Sequence, residues 1–294
     1  MDWLPVLKVA IAFVILFLAA WSDWRTREAS DLYWIVLGII GIAFLGIQLL
    51  QDSADTVYFL ILIPIAIFFM DIFWERKGMF EDGINLVPLG MYALSFIILA
   101  ALVAMRWEDL YLWGLMLIPI MFFLFILFYQ FDIIKGGADA KALIALAIMF
   151  PLYPMIDGLP LIAVPSELSQ FVIPYPLLLL FNAALTVLVI PVALLVFNLV
   201  RGSVRFPAML FGYRMRTAEA KKKFVWPMEY IEDGQRKFTY FPKGSDFTEA
   251  QLDQLLAAGA EEIWVTPKIP FLIPITISVV FSAVVGNLFF LLIR

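Results

Sequence analysis

The chain has 294 residues, of which 64% are hydrophobic and 15% charged, with a formal net charge of −5. Soluble domains hold about 45–50% apolar residues, so this composition excludes an ordinary water-soluble fold and asks for lipid around much of the surface. There is no Cys and no His, which excludes disulfides, thiol nucleophiles, Cys-based zinc sites, the Ser-His and Cys-His pairs and the His-Glu-x-x-His zinc motif.

A bilayer-crossing helix needs roughly 20 apolar residues. The first such run is Pro5–Trp21. It is preceded by Asp2 and carries one cation, Lys8, while its Arg residues follow it. That is the reverse of a cleavable signal peptide. It reads as an uncleaved anchor, with Lys8 snorkelling outward. The polar stretch Trp21-Ser22-Asp23-Trp24-Arg25-Thr26-Arg27-Glu28 follows. Further runs are Tyr33–Leu50, Val57–Trp74, Ile84–Met105 and Leu110–Phe131. A glycine turn, Lys135-Gly136-Gly137-Ala138-Asp139-Ala140-Lys141, then opens the run Ala140–Met155. Tyr175–Val200 and Ile269–Ile293 complete a predicted set of about eight spans. Pro64, Pro88, Pro119 and Pro191 are expected to kink spans, and Asn182, Asn198 and Asn287 to bond between helices.

Residues 201–268 form the long polar stretch. Phe224–Ile231 and Arg236–Phe241 flank Asp233-Gly234, a hairpin signal. Thr248-Glu249-Ala250-Gln251 fits a capping box, with Phe247 and Leu252 as its staple. The helix should stop at Gly259, and Glu262–Thr266 suits a strand. The expected class is an all-α polytopic membrane protein with a small α+β module. Its predicted divisions are a membrane domain over 1–200, the module over 201–268 and a last membrane helix over 269–294.

Cations gather in alternate connections. Arg25, Arg27, Arg76, Lys77, Lys135, Lys141 and the cations of the polar stretch fall in one set. Arg106 and Arg294 fall in the other, and the connection Asp157–Pro174 has none. The positive-inside rule then puts both termini outside and the module, Asp23 and Asp139 at the cytoplasmic face. Lys221-Lys222-Lys223 reads as an anionic-lipid contact or a solvated run. Nothing points to nucleic acid or to a metal or organic cofactor.

Two carboxylates sharing one proton hydrolyse peptide bonds when close and partly desolvated. Asp139 lies at a helix amino end, which favours an anion, and Asp23 at a carboxyl end, which disfavours one. On that basis Asp23 is the expected holder of the shared proton. Gly136 and Gly137 allow close backbone approach and positive φ. Asp132, Asp71 and Glu75 read as interfacial carboxylates pairing with Arg76, Lys77 or Lys135.

These residues carry a resemblance. Gly136-Gly137-Ala138-Asp139 resembles the Gly-x-Gly-Asp turn of membrane aspartic peptidases, with Ala138 at the second glycine's place. Ser22-Asp23-Trp24-Arg25-Thr26-Arg27-Glu28 resembles the first motif of the prepilin peptidases, which continues Ile-Pro-Asn where this chain has Ala29-Ser30-Asp31. Trp264-Val265-Thr266-Pro267-Lys268-Ile269-Pro270-Phe271 resembles the tail of archaeal preflagellin peptidases. The resemblance implies an aspartic endopeptidase of the type IV prepilin peptidase family. It would remove a short basic leader from archaellin- or pilin-like precursors, with Asp23 and Asp139 as the catalytic pair and Gly136, Gly137 and Ala138 as the active-site turn. Its partners would be the precursor and membrane lipid.

Two other readings differ in signature. Presenilin-like and signal-peptide-peptidase-like proteases carry Tyr-Asp and Pro-Ala-Leu, whereas Ser22 precedes Asp23 here and Pro-Ala-Leu is absent. An ion-coupled transporter binds near the midplane, whereas both aspartates fall at one border.

Overall fold

The computed structural model describes residues 3–77, 80, 83–162, 174–240, 242 and 249–292. Every expected span is helical there, but the lengths differ. Among the described residues five helices are long and apolar enough to cross a membrane: Trp3–Thr26, Asp31–Gln51, Leu86–Arg106, Leu110–Gln130 and Tyr175–Val200. Thr56–Asp71 and Leu272–Val284 are shorter apolar helices. The sixth expected span is a helix of 13 residues, Gly137–Met149. The expectation of about eight full-length spans is therefore met by five.

In chain order the helices of the apolar part are α1 (Trp3–Thr26), α2 (Asp31–Gln51), α3 (Leu62–Asp71), α4 (Leu86–Arg106), α5 (Leu110–Gln130), α6 (Gly137–Met149), α7 (Tyr175–Val187) and α8 (Val189–Val200). A 3₁₀ helix, Thr56–Ile61, leads into α3. Helix starts follow local chemistry. Ser30, Asn85 and Asp109 each accept a bond from the backbone N–H two residues on and cap α2, α4 and α5. The expected proline kinks need revision. Pro88 and Pro191 fall in first turns, and Pro64 follows the 3₁₀ turn. These positions tolerate a missing N–H. Pro119 alone among the four lies deep inside a helix, α5. Pro191 instead leaves the carbonyl of Val187 without its helical donor, and the helix is interrupted at Leu188.

The chain forms two compact units, residues 1–184 with 270–294, and residues 185–269. In the first unit α6 is central, packed against α1, α2, α3, α5 and α11 (Leu272–Val284). Ala140 and every residue from Ala142 to Met149 are buried. A helix covered on all sides has no polar stripe, and this one is apolar all round from Ala142 onward. α11 also packs along α1. The Asn182 side chain donates to Ser282 Oγ at 2.7 Å, and that of Asn287 to the Leu178 carbonyl at 2.6 Å. Both tie α7 to α11 and the segment leading into α12 (Phe289–Leu292), as expected. Lys8 does not snorkel outward. It is buried and donates to Gln48 Oε1 at 2.6 Å, because α2 offers a polar partner nearer than solvent.

The second unit contains α8 and the polar module. Strands β1 (Tyr213–Arg216), β2 (Val225–Pro227) and β5 (Glu262–Pro267) form an antiparallel sheet with β5 central. Strands β3 (Glu229–Glu232) and β4 (Gln235–Phe238) form the predicted hairpin. Its two turn residues, Asp233 and Gly234, have φ of 53° and 73°, the turn that matches strand twist. The single run foreseen over Phe224–Ile231 divides between two sheets. Short helices α9 (Thr217–Ala220) and α10 (Glu249–Ala257) complete the unit, and Gly259 takes the left-handed conformation that ends α10. The foreseen capping box and staple rest on Phe247 and Thr248, which lie outside the described residues, as does Phe241. Asn198 holds α8 to the following turn, donating to the carbonyls of Met209 and Gly212. It bonds helix to turn rather than helix to helix.

Candidate active site

Asp23 lies in the last turn of α1. Its carbonyl accepts from Arg27 N–H at 2.9 Å, and the chain leaves the helix at Arg27, whose φ is 63°. Thr26 Oγ1 donates to the Ser22 carbonyl at 2.9 Å and to that of Glu28 at 3.1 Å, and Ser22 Oγ donates to the latter at 3.0 Å. These hydroxyls fix how the 27–30 connection folds away. Arg25 stacks on Trp21 and Arg27 on Trp24.

Asp139 lies in the first turn of α6. α5 ends at Gln130, and Asp132 turns the chain with φ of 56°. Ile133 and Ile134 N–H both donate to the Phe128 carbonyl, and the Ile134 side chain is buried. Gly136 is extended, at φ −92° and ψ 122°, and begins the helix without a side-chain cap. The expected positive φ is not used at Gly136 or Gly137. Close approach is used at Gly136: a Cβ there would lie 2.9 Å from Asp139 Cγ and overlap its carboxyl. At Gly137 a Cβ would meet the Tyr129 hydroxyl at an ordinary 3.6 Å. Ala138 packs against the core.

The two aspartates, 116 positions apart in sequence, come within electrostatic reach of each other. Both are half-buried. Lys141, on the second turn of α6, pairs with Asp31 of α2 at 2.6 Å and stacks on Phe73. That pair ties the start of α6 to the start of α2. α1 extends one turn beyond Asp23, so the dipole argument still applies there. Arg27 also acts on Asp23 electrostatically and opposes it. The expectation that Asp23 holds the shared proton therefore loses its simple basis. Composition gave no sign of this counter-field, although Arg27 at i+4 was the available signal.

The carboxylates read as interfacial have other surroundings. Asp71 accepts from Arg76 at 2.6 Å and from the Tyr92 hydroxyl at 2.8 Å, and Asp132 is an exposed turn residue. Among the described residues no cluster of acidic side chains is arranged to hold a metal.

Residues 204–288 match the family model described as Archaeal Peptidase A24 C-terminus Type II. The whole chain is similar to the preflagellin peptidase of Methanococcus maripaludis, at 24% identity over 96% of each chain. The chain is related to the archaeal preflagellin peptidases. A preflagellin peptidase of Methanocaldococcus jannaschii is 28% identical over 55% of this chain and 68% of its own length. One of Methanococcus voltae is 26% identical over 52% of this chain. The family-model match covers most of the second unit and α11 and contains neither aspartate. The likeness to the Methanococcus maripaludis preflagellin peptidase spans both.

Proposed function

We propose that this chain is a membrane aspartic endopeptidase that removes the short basic leader of archaellin- or type IV pilin-like precursors. Asp23 and Asp139 are its catalytic pair. One observation carries the reading: helices far apart in sequence bring two half-buried carboxyl groups into mutual electrostatic range beside a glycine turn. The relatedness to preflagellin peptidases supplies the substrate class.

In the proposed reaction the pair shares one proton. The ionised carboxylate takes a proton from water as the water oxygen bonds to the scissile carbonyl carbon. The protonated partner hydrogen-bonds to the carbonyl oxygen as it gains charge. The tetrahedral intermediate then breaks its C–N bond, and a proton passes to the leaving amine. The Gly136 carbonyl accepts from Ala140 N–H at 3.1 Å, so it is the N–H of this extended residue that would meet a substrate strand beside Asp139. The cation distribution favours cutting at the cytoplasmic face, with both termini outside.

The test is cleavage of a precursor with a basic leader in membranes, comparing the native chain with Asp23→Asn and Asp139→Asn. Loss of roughly 10²–10⁴-fold is expected in each, at unchanged expression and insertion. Full activity in either variant would sink the pair.

A further inference from the structure

The 185–269 unit holds a basin of about 590 Å³ that contains neither aspartate. It is lined by Gly202, Arg205, Arg214, Arg236, Lys237 and Trp264, with Glu229 as the one acid among its lining residues. Glu229 is buried and already satisfied, accepting from Trp264 N–H at 2.9 Å and from Arg236. Arg214 makes only a 3.3 Å contact with Glu262, with both side chains half exposed, and Lys237 pairs with Glu232. Arg205 stacks on Phe238 at 4.3 Å and has no ion pair among the described residues. With Glu229, Glu262 and Glu232 set against Arg236, Arg214 and Lys237, the basin keeps one positive charge in excess, on Arg205, and the weakly engaged Arg214 beside it gives a second guanidinium fork suited to phosphate.

Its place in the unit narrows the ligand. The lining begins two residues after α8 ends. α8 is apolar and largely exposed, and Val200 at its end is 83% exposed. Val204 and Phe206, on either side of Arg205, are 66% and 79% exposed. A phosphate site with bare apolar side chains at its rim, reached directly from an apolar helix, has the layout of a headgroup below its acyl chains.

We propose that this basin binds the phosphate of an anionic phospholipid headgroup, with Arg205 and Arg214 as its principal ligands. The site is independent of the aspartate pair. The full-length chain in detergent is titrated with dioleoylphosphatidylglycerol and with dioleoylphosphatidylcholine, and retained lipid is counted by native mass spectrometry. The native chain retains the anionic lipid preferentially. The double variant Arg205→Gln, Arg214→Gln loses that preference by roughly tenfold or more. A charge-matched control at two exposed cations that do not line the basin, Lys135→Gln with Arg216→Gln, keeps it. If the double variant does not fold, the single variant Arg205→Gln carries the test, since among the described residues that side chain makes no ion pair and only the stack on Phe238. Equal retention by native and pocket variants would overturn the proposal, as would equal loss in the control. Complete displacement of the lipid by inorganic phosphate at millimolar concentration would mark a free-phosphate site and overturn it too.

Discussion

Gly136 and Gly137 stand next to each other and have different reasons to be glycine. The first leaves the volume that the Asp139 carboxyl occupies, and the second opens α6 with space to spare. Gly136→Ala should therefore push the carboxyl aside. A displacement near 1 Å costs on the order of 10²-fold in rate. Gly137→Ala should leave cleavage within severalfold of native, since Ala suits a helix start better than Gly. Leader cleavage by the two variants, measured side by side, checks the contrast. The sequence made both glycines visible, but not the reason for either. Collision with a side chain three positions on depends on the helix starting at Gly137, and boundaries are the part of a pattern that periodicity resolves least well. Lys8 failed for a related reason. Its partner Gln48 is a span away, and a single apolar run carries no information about its neighbour.

At the level of elements, α2 and α6 pack closely because α2 has glycine where they cross. A Cβ on Gly41 would come within 3.2 Å of both Ile148 Cγ2 and the Met149 backbone nitrogen. Small residues at such crossings let helix backbones approach in lipid. Gly41→Leu should force the two apart and lower stability by about 1–3 kcal/mol, read as a fall in the thermal midpoint in detergent. The Lys141–Asp31 bridge joins the same helices but is partly exposed. Lys141→Gln should change stability by less than about 1 kcal/mol, a smaller shift of the same midpoint. The existence of α6 was legible from its apolar run, but its length was not. Thirteen residues are too few to cross a bilayer unaided, and α6 is short because Pro151 follows Phe150 and holds it out of the helical region, at φ −131° and ψ 75°. The strands were only partly legible: Asp233-Gly234 announced the hairpin, whereas β1, four residues with alternating charge, announced nothing.

The whole molecule has separate cores. Met215, Leu255, Ile263 and Val265 belong to one that lies wholly within residues 185–269. Leu255 is fully buried there. Leu255→Ala should destabilise that unit by about 2–5 kcal/mol. Hydrogen exchange should show faster opening of α10 and β5, while α6 keeps its protection. Equal loss of protection in α6 would refute separate cores. Composition pointed to membrane helices at once, in agreement with the five long apolar helices among the described residues. The division of the chain after Ala184 was not readable, because the run Tyr175–Val200 holds no charged residue and only Pro191 hints at the interruption.

The unit that carries both aspartates is assembled from the two flanks of an insertion, with α11 lying along α1. Translation delivers these neighbours at opposite times. At roughly 5–20 residues per second, α1 leaves the ribosome on the order of ten seconds or more before Leu272 is added. Throughout that interval lipid covers the flank of α1 that α11 will take. A nascent chain halted before Leu272 bears Asp23 on a helix with lipid where α11 belongs, so synthesis of α11 is itself a step in assembling the unit that holds the two aspartates.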